Sequence, residues 1–409
     1  MTDAMEDRRQ LLQIFQAAVE AVNGRARVRA YLERHALAAP VYLIAAGKAA
    51  CSMARGAHEV LGSGIIDALI VTKEGHAEVL PWPVIEAGHP VPDARSLAAG
   101  EALLRFVRAL PASARVLALW SGGASALLEC LPLGVDLEQL RRINDWLLGQ
   151  DLDVVEMNRL RKRLSLIKGG RLAALVAPRA VLCLAISDVP GDQPRNIGSG
   201  PLVPDESPTT TPKAVLPDFV RVALDAAPPM PRADAPCFSD VRVAIVARLD
   251  DAKAAAEAAA LRAGFQARVE SEFVAGDAVQ AGARLAQALV RDSAGVVHVW
   301  GGETTVRLPP RPGRGGRNQS LALAAAYQLA GHHDAFFLAA GTDGTDGPTP
   351  DAGALVDGGT LERGSAQGLD ARAALARADA GTFLEASGDL IHTGPTGTNV
   401  MDLMIGLRR

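Results

Sequence analysis

Several short polar segments combine residue types that can handle anions and protons. Ala45-Ala46-Gly47-Lys48 closes an aliphatic run and sets a lysine where a helix should begin. Such a lysine can reach a phosphate as a point charge, or it is an ordinary surface lysine whose charge the helix dipole disfavours. The P-loop pattern G-x-x-x-x-G-K-[ST] is not met, because Tyr42 stands at the first glycine and Ala49 follows the lysine. Trp120-Ser121-Gly122-Gly123-Ala124-Ser125 follows another apolar run. Its small residues let a ligand approach the backbone and its hydroxyls add donors, as an anion cradle requires; the alternative is a tight turn capped by Ser121 or Ser125. The G-x-S-x-G pattern of a hydrolase nucleophile is absent from it. Ser187-Asp188-Val189-Pro190-Gly191-Asp192 and Gly198-Ser199-Gly200-Pro201 set a carboxylate beside a glycine-rich stretch. Asp188 can there hold Mg²⁺, accept a hydroxyl proton, or serve only an Asx turn.

The later part of the chain repeats the theme. Gly301-Gly302-Glu303-Thr304-Thr305 and Gly315-Gly316-Arg317-Asn318-Gln319 flank a loop rich in proline and arginine. Arg317 opens a helical pattern, and its guanidinium fork matches a carboxylate or phosphate bidentately; a structural ion pair with Glu303 is the competing role. Thr342-Asp343-Gly344-Thr345-Asp346-Gly347 suggests a loop for Mg²⁺ or phosphate without EF-hand spacing. Thr393-Gly394-Pro395-Thr396-Gly397-Thr398-Asn399 concentrates hydroxyls and glycine. Neither the histidines nor the cysteines show zinc spacing, and His89 and His392 lie in Gly/Pro turns that suit structural histidines.

The elements that must position these segments follow from the runs before them. Residues 41–44, 116–120, 181–186, 241–246, 296–300 and 336–340 are short aliphatic stretches, most ending at a polar or glycine turn and followed by an Ala-rich helical stretch. That alternation predicts a parallel sheet covered by helices, with ligands beyond the strand C-termini. Residues 137–148 and 154–167 read as amphipathic helices, the second carrying Arg159, Arg161, Lys162 and Arg163 as a basic face, for which a solvated surface is the ordinary explanation. Residues 252–260 read as one helix.

At 409 residues the chain exceeds one ordinary core and predicts two α/β domains, with a cleft between them. Prolines cluster from Pro201 to Pro236, which predicts a connection and domains of residues 1–236 and 237–409. A net charge of −4 provides no general cationic field, so nucleic acid and anionic membranes are not expected partners. No apolar run reaches the ~20 residues of a membrane helix, Met1 to Gln10 does not resemble a signal segment, and the four cysteines are scattered. A cytoplasmic protein with reduced, mostly buried thiols is expected.

Taken in order, Ala45-Ala46-Gly47-Lys48-Ala49, Gly88-His89-Pro90-Val91-Pro92-Asp93, Trp120-Ser121-Gly122-Gly123-Ala124-Ser125, Ile186-Ser187-Asp188-Val189-Pro190-Gly191-Asp192, Gly301-Gly302-Glu303-Thr304-Thr305, Gly315-Gly316-Arg317-Asn318-Gln319, Gly341-Thr342-Asp343-Gly344 and His392-Thr393-Gly394-Pro395-Thr396-Gly397-Thr398-Asn399 closely resemble the class II glycerate 2-kinase family over nearly the whole chain. The resemblance implies a Rossmann-like, mostly parallel N-terminal sheet, a second α/β domain of the MOFRL type, and an active site in the interdomain cleft. It implies ATP-dependent phosphorylation of the 2-hydroxyl of D-glycerate with Mg²⁺; the sequence leaves open whether the protein is a monomer or homodimer. The family's polar cluster falls on Lys48, Asp188, Glu303, Arg317, Asp343 and Asn399. Lys48, Asp188 and Arg317 are the catalytic candidates, and Ser121, Gly122, Gly123, Ser125, Ser199, Gly200, Glu303, Asp343 and Asn399 the candidates for substrate and phosphate. Asp188 and Asp343 are the metal candidates. This chain departs from the family pattern at Gln193, Arg195-Asn196 and Met401. Two rival readings remain: an NAD(P)-dependent hydroxypyruvate reductase, which lacks a G-x-G-x-x-G fingerprint here, and a non-catalytic sensor, which would be expected to have lost part of the cluster.

Overall fold

A computed structural model describes residues 2–150, 154–206 and 216–409. The chain divides into two compact units: a first of Gly24–Val246, and a second in which Met1–Asn23 joins Ala247–Arg409.

The first unit is built on sheet A, with β1 (Val41–Ala46), β2 (Ile65–Lys73), β3 (Val84–Ala87), β4 (Arg115–Trp120), β5 (Ala180–Ile186) and β6 (Val241–Ala247) in the order β3-β2-β1-β4-β5-β6. The pairs from β3 through β5 are parallel. The aliphatic runs form central strands because a parallel sheet covered on both faces demands apolar side chains in both directions; β1 and β4 are buried along nearly their whole length. Ile44, Val71, Leu103, Val116, Trp120 and Val176 belong to the core on this sheet. The strand order reverses between β1 and β4, which pair from Val41 with Arg115 to Ala46 with Trp120. A crevice for ligands opens at such a switch point, beyond the strand C-termini.

A smaller apolar cluster lies apart from the sheet in the same unit. The helices Leu137–Leu148, Val154–Leu164 and Asp218–Ala226 bury Ile143, Leu147, Leu160, Leu164, Val220 and Leu224 together. The first starts at a capping box in which Asp136 accepts the Gln139 N–H at 2.8 Å and Gln139 accepts the Asp136 N–H at 3.1 Å.

Sheet B of the second unit runs β11-β10-β9-β12-β8-β7, from β7 (Gln266–Val274), β8 (Val296–Gly302), β9 (Ala335–Gly341), β10 (Gly353–Asp357), β11 (Leu390–Ile391) and β12 (Asp402–Arg408). It is mixed: β7 and β8 are parallel, whereas β12 runs antiparallel to both β8 and β9. Strands β8 and β9 are buried throughout.

The break between units falls after Val246, not near Pro236, because β6 completes the first sheet. The N-terminal helix Thr2–Ala21 belongs to the second unit, where Leu11, Ile14, Phe15 and Ala18 are buried. Of the proline-rich connection, Pro208, Thr209, Thr210, Thr211 and Pro212 lie outside the described residues, and residues 218–226 form a helix rather than linker. Cys51, Cys130 and Cys183 are buried free thiols, and burial pushes them up to about 11, about 12 and about 12. Among the described residues no helix is long and apolar enough to cross a membrane.

Candidate active site

At the switch point of sheet A the turns after β1 and β4 are stitched to each other. Lys48 N–H donates to the Gly122 carbonyl at 2.9 Å, and Ser121 N–H to the Ala46 carbonyl at 3.0 Å. Ser121 Oγ accepts the Ala49 N–H at 3.1 Å, and Thr72 Oγ donates to the Gly47 carbonyl at 3.1 Å. Ser121 is fully buried, so its hydroxyl serves the turn. Gly123 has φ +84°, and a Cβ there would sit 3.1 Å from the His89 ring and 3.2 Å from Lys48 Cγ. The lysine stem, the glycine and the imidazole are therefore immediate neighbours.

Beside them the first unit holds a cavity of about 400 Å³. Gly123, Ser125, Asp188, Gly198 and Ser199 line its sheet side, with His89 and Pro90. Ser125 Oγ and Ser199 Oγ are 2.9 Å apart, which joins the two glycine-rich loops. The second loop is fixed from behind, since the Ser199 and Gly200 carbonyls accept the Gly169 and Gly170 N–H groups at 3.0 and 2.9 Å. Gly198 has φ +52°, and a Cβ there would fall 2.2 Å from Trp120 Nε1.

The opposite wall comes from the helical cluster. Leu140, Arg141, Asn144 and Asp145 of the helix Leu137–Leu148, with Asn158 and Arg161 of the helix Val154–Leu164, face the cavity. Residues three and four apart share a helix face, so each helix turns its apolar stripe to the cluster and a polar stripe to the cavity. The expected basic face does not behave as a solvated surface: Lys162 is buried, 3.3 Å from Asp205, and Arg161 is a half-buried part of the lining. Lys168 and Glu129, both buried, form an ion pair in the same lining.

The second unit carries the other candidates. Glu303 follows the end of β8, and Thr342 and Asp343 follow the end of β9. Between those ends β12 begins, with Asp402 opposite both Gly302 and Gly341. Arg317, first residue of the helix Arg317–Leu329, donates from Nε and Nη2 to Asp402 at 2.5 and 3.0 Å, and its Nη1 lies 3.1 Å from Glu303. Burial opposes the guanidinium's charge, but the Asp402 carboxylate beside it holds its pKa above the ordinary value. The pairing with Glu303 is thus present, and a second, buried carboxylate that sequence reasoning missed is the stronger partner.

Asp346 accepts the N–H groups of Asn318 and Gln319 at 3.0 and 2.7 Å and so caps that helix from outside the local chain. Burial pushes Asp346 up to about 7 against the pull of those donors. Asp343 is buried and accepts the Thr345 N–H at 2.9 Å. The loop of Asn399 is tied to the same turn: Thr396 Oγ donates to the Thr342 carbonyl at 2.6 Å and Val400 N–H donates to Thr342 Oγ at 2.9 Å.

For a divalent cation, the described residues contain no cluster of three or more His, Cys, Asp or Glu with metal-binding geometry. Mg²⁺ is ordinarily held by one or two carboxylates together with waters and substrate phosphates, so single carboxylates such as Asp188 and Asp343 suit that ion better than a metal needing a full protein cage. Asp402 and the Lys168–Glu129 pair were not singled out from the sequence, which offered Asp346 only as part of the Thr342–Gly347 loop and Arg161 only as one member of a basic face. The only available signal was the polar spacing at positions 141, 144, 158 and 161 on two amphipathic helices.

Comparison with known proteins adds to this geometry. A family described as a domain of unknown function (DUF4147) matches residues 10–228, and the MOFRL family matches residues 296–402. A D-glycerate 2-kinase from Thermotoga maritima is 39% identical over 383 residues, 90% of each chain. A protein from Agrobacterium vitis named as a candidate hydroxypyruvate reductase is 37% identical over 414 residues, 97% of this chain and 93% of that one. The crystal structure of a glycerate kinase from Thermotoga maritima matches with a TM-score of 0.84 at 36% identity, over 99% of this chain and 100% of that one.

Proposed function

This chain belongs to the glycerate 2-kinase family, and we propose that its own reaction is transfer of the γ-phosphoryl group of ATP to the 2-hydroxyl of D-glycerate, giving 2-phosphoglycerate and ADP. The observation that carries the reading is the meeting of Lys48, Gly123 and His89 at the switch point of sheet A, beside a cavity lined by Asp188, Ser125 and Ser199.

Phosphoryl transfer asks the protein for position and charge more than for covalent chemistry. Lys48 supplies a positive point charge next to a glycine turn that a phosphate can approach closely. Ser125 and Ser199 add hydroxyl donors from two loops locked to each other. Asp188 takes the proton from the attacking 2-hydroxyl as the new O–P bond forms and the bond to the ADP oxygen breaks. Arg317 has more N–H donors than its contacts with Asp402 and Glu303 consume, and it orients an anionic oxygen from a fixed position. Mg²⁺, held by the nucleotide phosphates with Asp188 or Asp343, would supply charge neutralisation. Glu303, Asp343 and Asn399 would complete the shell around the metal and the phosphates.

A hydroxypyruvate reductase is the second reading, because relatives carry that name. Purified protein given D-glycerate, ATP and Mg²⁺ should form 2-phosphoglycerate, identified by ³¹P NMR, and should leave NADH unoxidised with hydroxypyruvate. NADH oxidation without any phosphorylated product reverses the assignment.

A further inference from the structure

Among the cations around the cavity of the first unit, Arg161 is half-buried, whereas Arg141, the other arginine of the lining, is exposed. Lys168 is neutralised by Glu129, whose other oxygen accepts the Cys130 N–H at 3.0 Å. Lys162, next in the chain, is buried against Asp205. Arg161 makes no ion pair among the described residues, and its Nε donates to Asn144 Oδ1 at 3.1 Å. Burial alone acts on its guanidinium and pulls its pKa down, with no carboxylate to restore it. A half-buried guanidinium is costly to keep without an opposing charge, and here the open side is the cavity.

The surroundings suit a planar anion. Asn144 holds the guanidinium through Nε, which leaves the Nη edge to receive a ligand. Asn158, one helical turn before Arg161 and on the same cavity wall, brings an amide. A guanidinium edge matches the two oxygens of a carboxylate in parallel hydrogen bonds, whereas the lysine and hydroxyl groups across the cavity offer separate point contacts of the kind that phosphates accept. We propose that Arg161, oriented by Asn144, binds the carboxylate of the hydroxy acid and makes the enzyme choose acids over neutral polyols. The inference rests on the kinase reading for the identity of that acid.

The test is D-glycerate binding by calorimetry, with steady-state kinetics, for wild type, Arg161→Gln and Arg161→Lys, each checked for an unchanged melting temperature. Arg161→Gln should weaken D-glycerate binding and raise its KM by roughly 10- to 100-fold, the size of a lost charge-assisted hydrogen-bond pair, while KM for ATP stays put. The preference for D-glycerate over glycerol should fall by a similar factor. Arg161→Lys keeps the charge without the fork and should recover part of the loss. If Arg161→Gln binds D-glycerate like a wild type that phosphorylates it, the inference fails and the kinase reading stands. A rise in KM for ATP alone would hand Arg161 to the nucleotide and overturn the inference. A wild type that neither binds nor phosphorylates D-glycerate removes both.

Discussion

Beyond the strand ends of sheet A, charged side chains face a cavity, and Arg161, on the helix Val154–Leu164, makes no ion pair there among the described residues. At the strand ends of sheet B, charges are already matched: Arg317 lies between Asp402 and Glu303, and Arg314 between Asp351 and Glu385. The difference is one of purpose. A cluster with an unmatched cation stores affinity for an anion that arrives from outside. A matched cluster instead fixes the direction of its side chains, since losing the arginine would strand the buried carboxylate of Asp402 or Asp351. The first unit thus has the character of a binding surface, and the second that of a rigid mount for Arg317.

The largest effect should come from the first cluster. Lys48→Ala should lower turnover by roughly 10³-fold, as removal of a preorganised charge at a reacting group does, with the melting temperature nearly unchanged; near-normal turnover would take Lys48 out of the site. Arg317→Ala should behave differently, losing turnover and about 3 kcal/mol of stability together, because Asp402 is left buried without its partner. Adding Asp402→Asn to that variant should return part of the stability and none of the turnover. Chemical denaturation separates the two, and a fully stable Arg317→Ala would erase the contrast between the clusters.

Gly123→Ala should cost about 1 kcal/mol through its left-handed backbone, with a larger loss of activity as His89 and Lys48 are pushed aside. Normal kinetics in a folded Gly123→Ala would show that the glycine serves only the turn. The smallest effect is a slope. Asp346 has its pKa raised from 3.8 to about 7 by burial, so the folded state holds its proton more tightly than the unfolded state. The stability this contributes is full below about pH 4 and is lost as pH rises through about 7. The melting temperature of wild type relative to Asp346→Asn should fall over that interval. A rise instead would mean that the Asn318 and Gln319 N–H groups keep the carboxylate ionised.

How much of this was legible depends on whether the signal is local. The strands β1, β4, β5, β8 and β9 are, because a buried parallel or central strand needs an aliphatic run and the glycine turn after it is visible in the same few residues. Lys48, Asp188, Ser125 and Ser199 stand in such turns, and the first unit brings the last three to one cavity. Arg161 could not be told from Arg159, Lys162 and Arg163, since four cations in five positions look alike until burial sorts them. Asp402 lies 85 residues from Arg317, at the start of a strand that enters the middle of sheet B from the chain end, and nothing near it in sequence marks that partner. The N-terminal helix shows its apolar stripe openly, but not that the stripe belongs with residues beyond 247. Met401, a departure from the family pattern, adopts φ +70°, a backbone in which asparagine is more at ease.

The most direct test of the binding surface is a crystal structure of the protein grown with D-glycerate and a non-hydrolysable ATP analogue. The acid should lie in the cavity of the first unit, with its carboxylate on the Nη edge of Arg161 and its 2-hydroxyl toward Asp188. An acid bound elsewhere, with only water between Arg161 and Ser125, would contradict this placement.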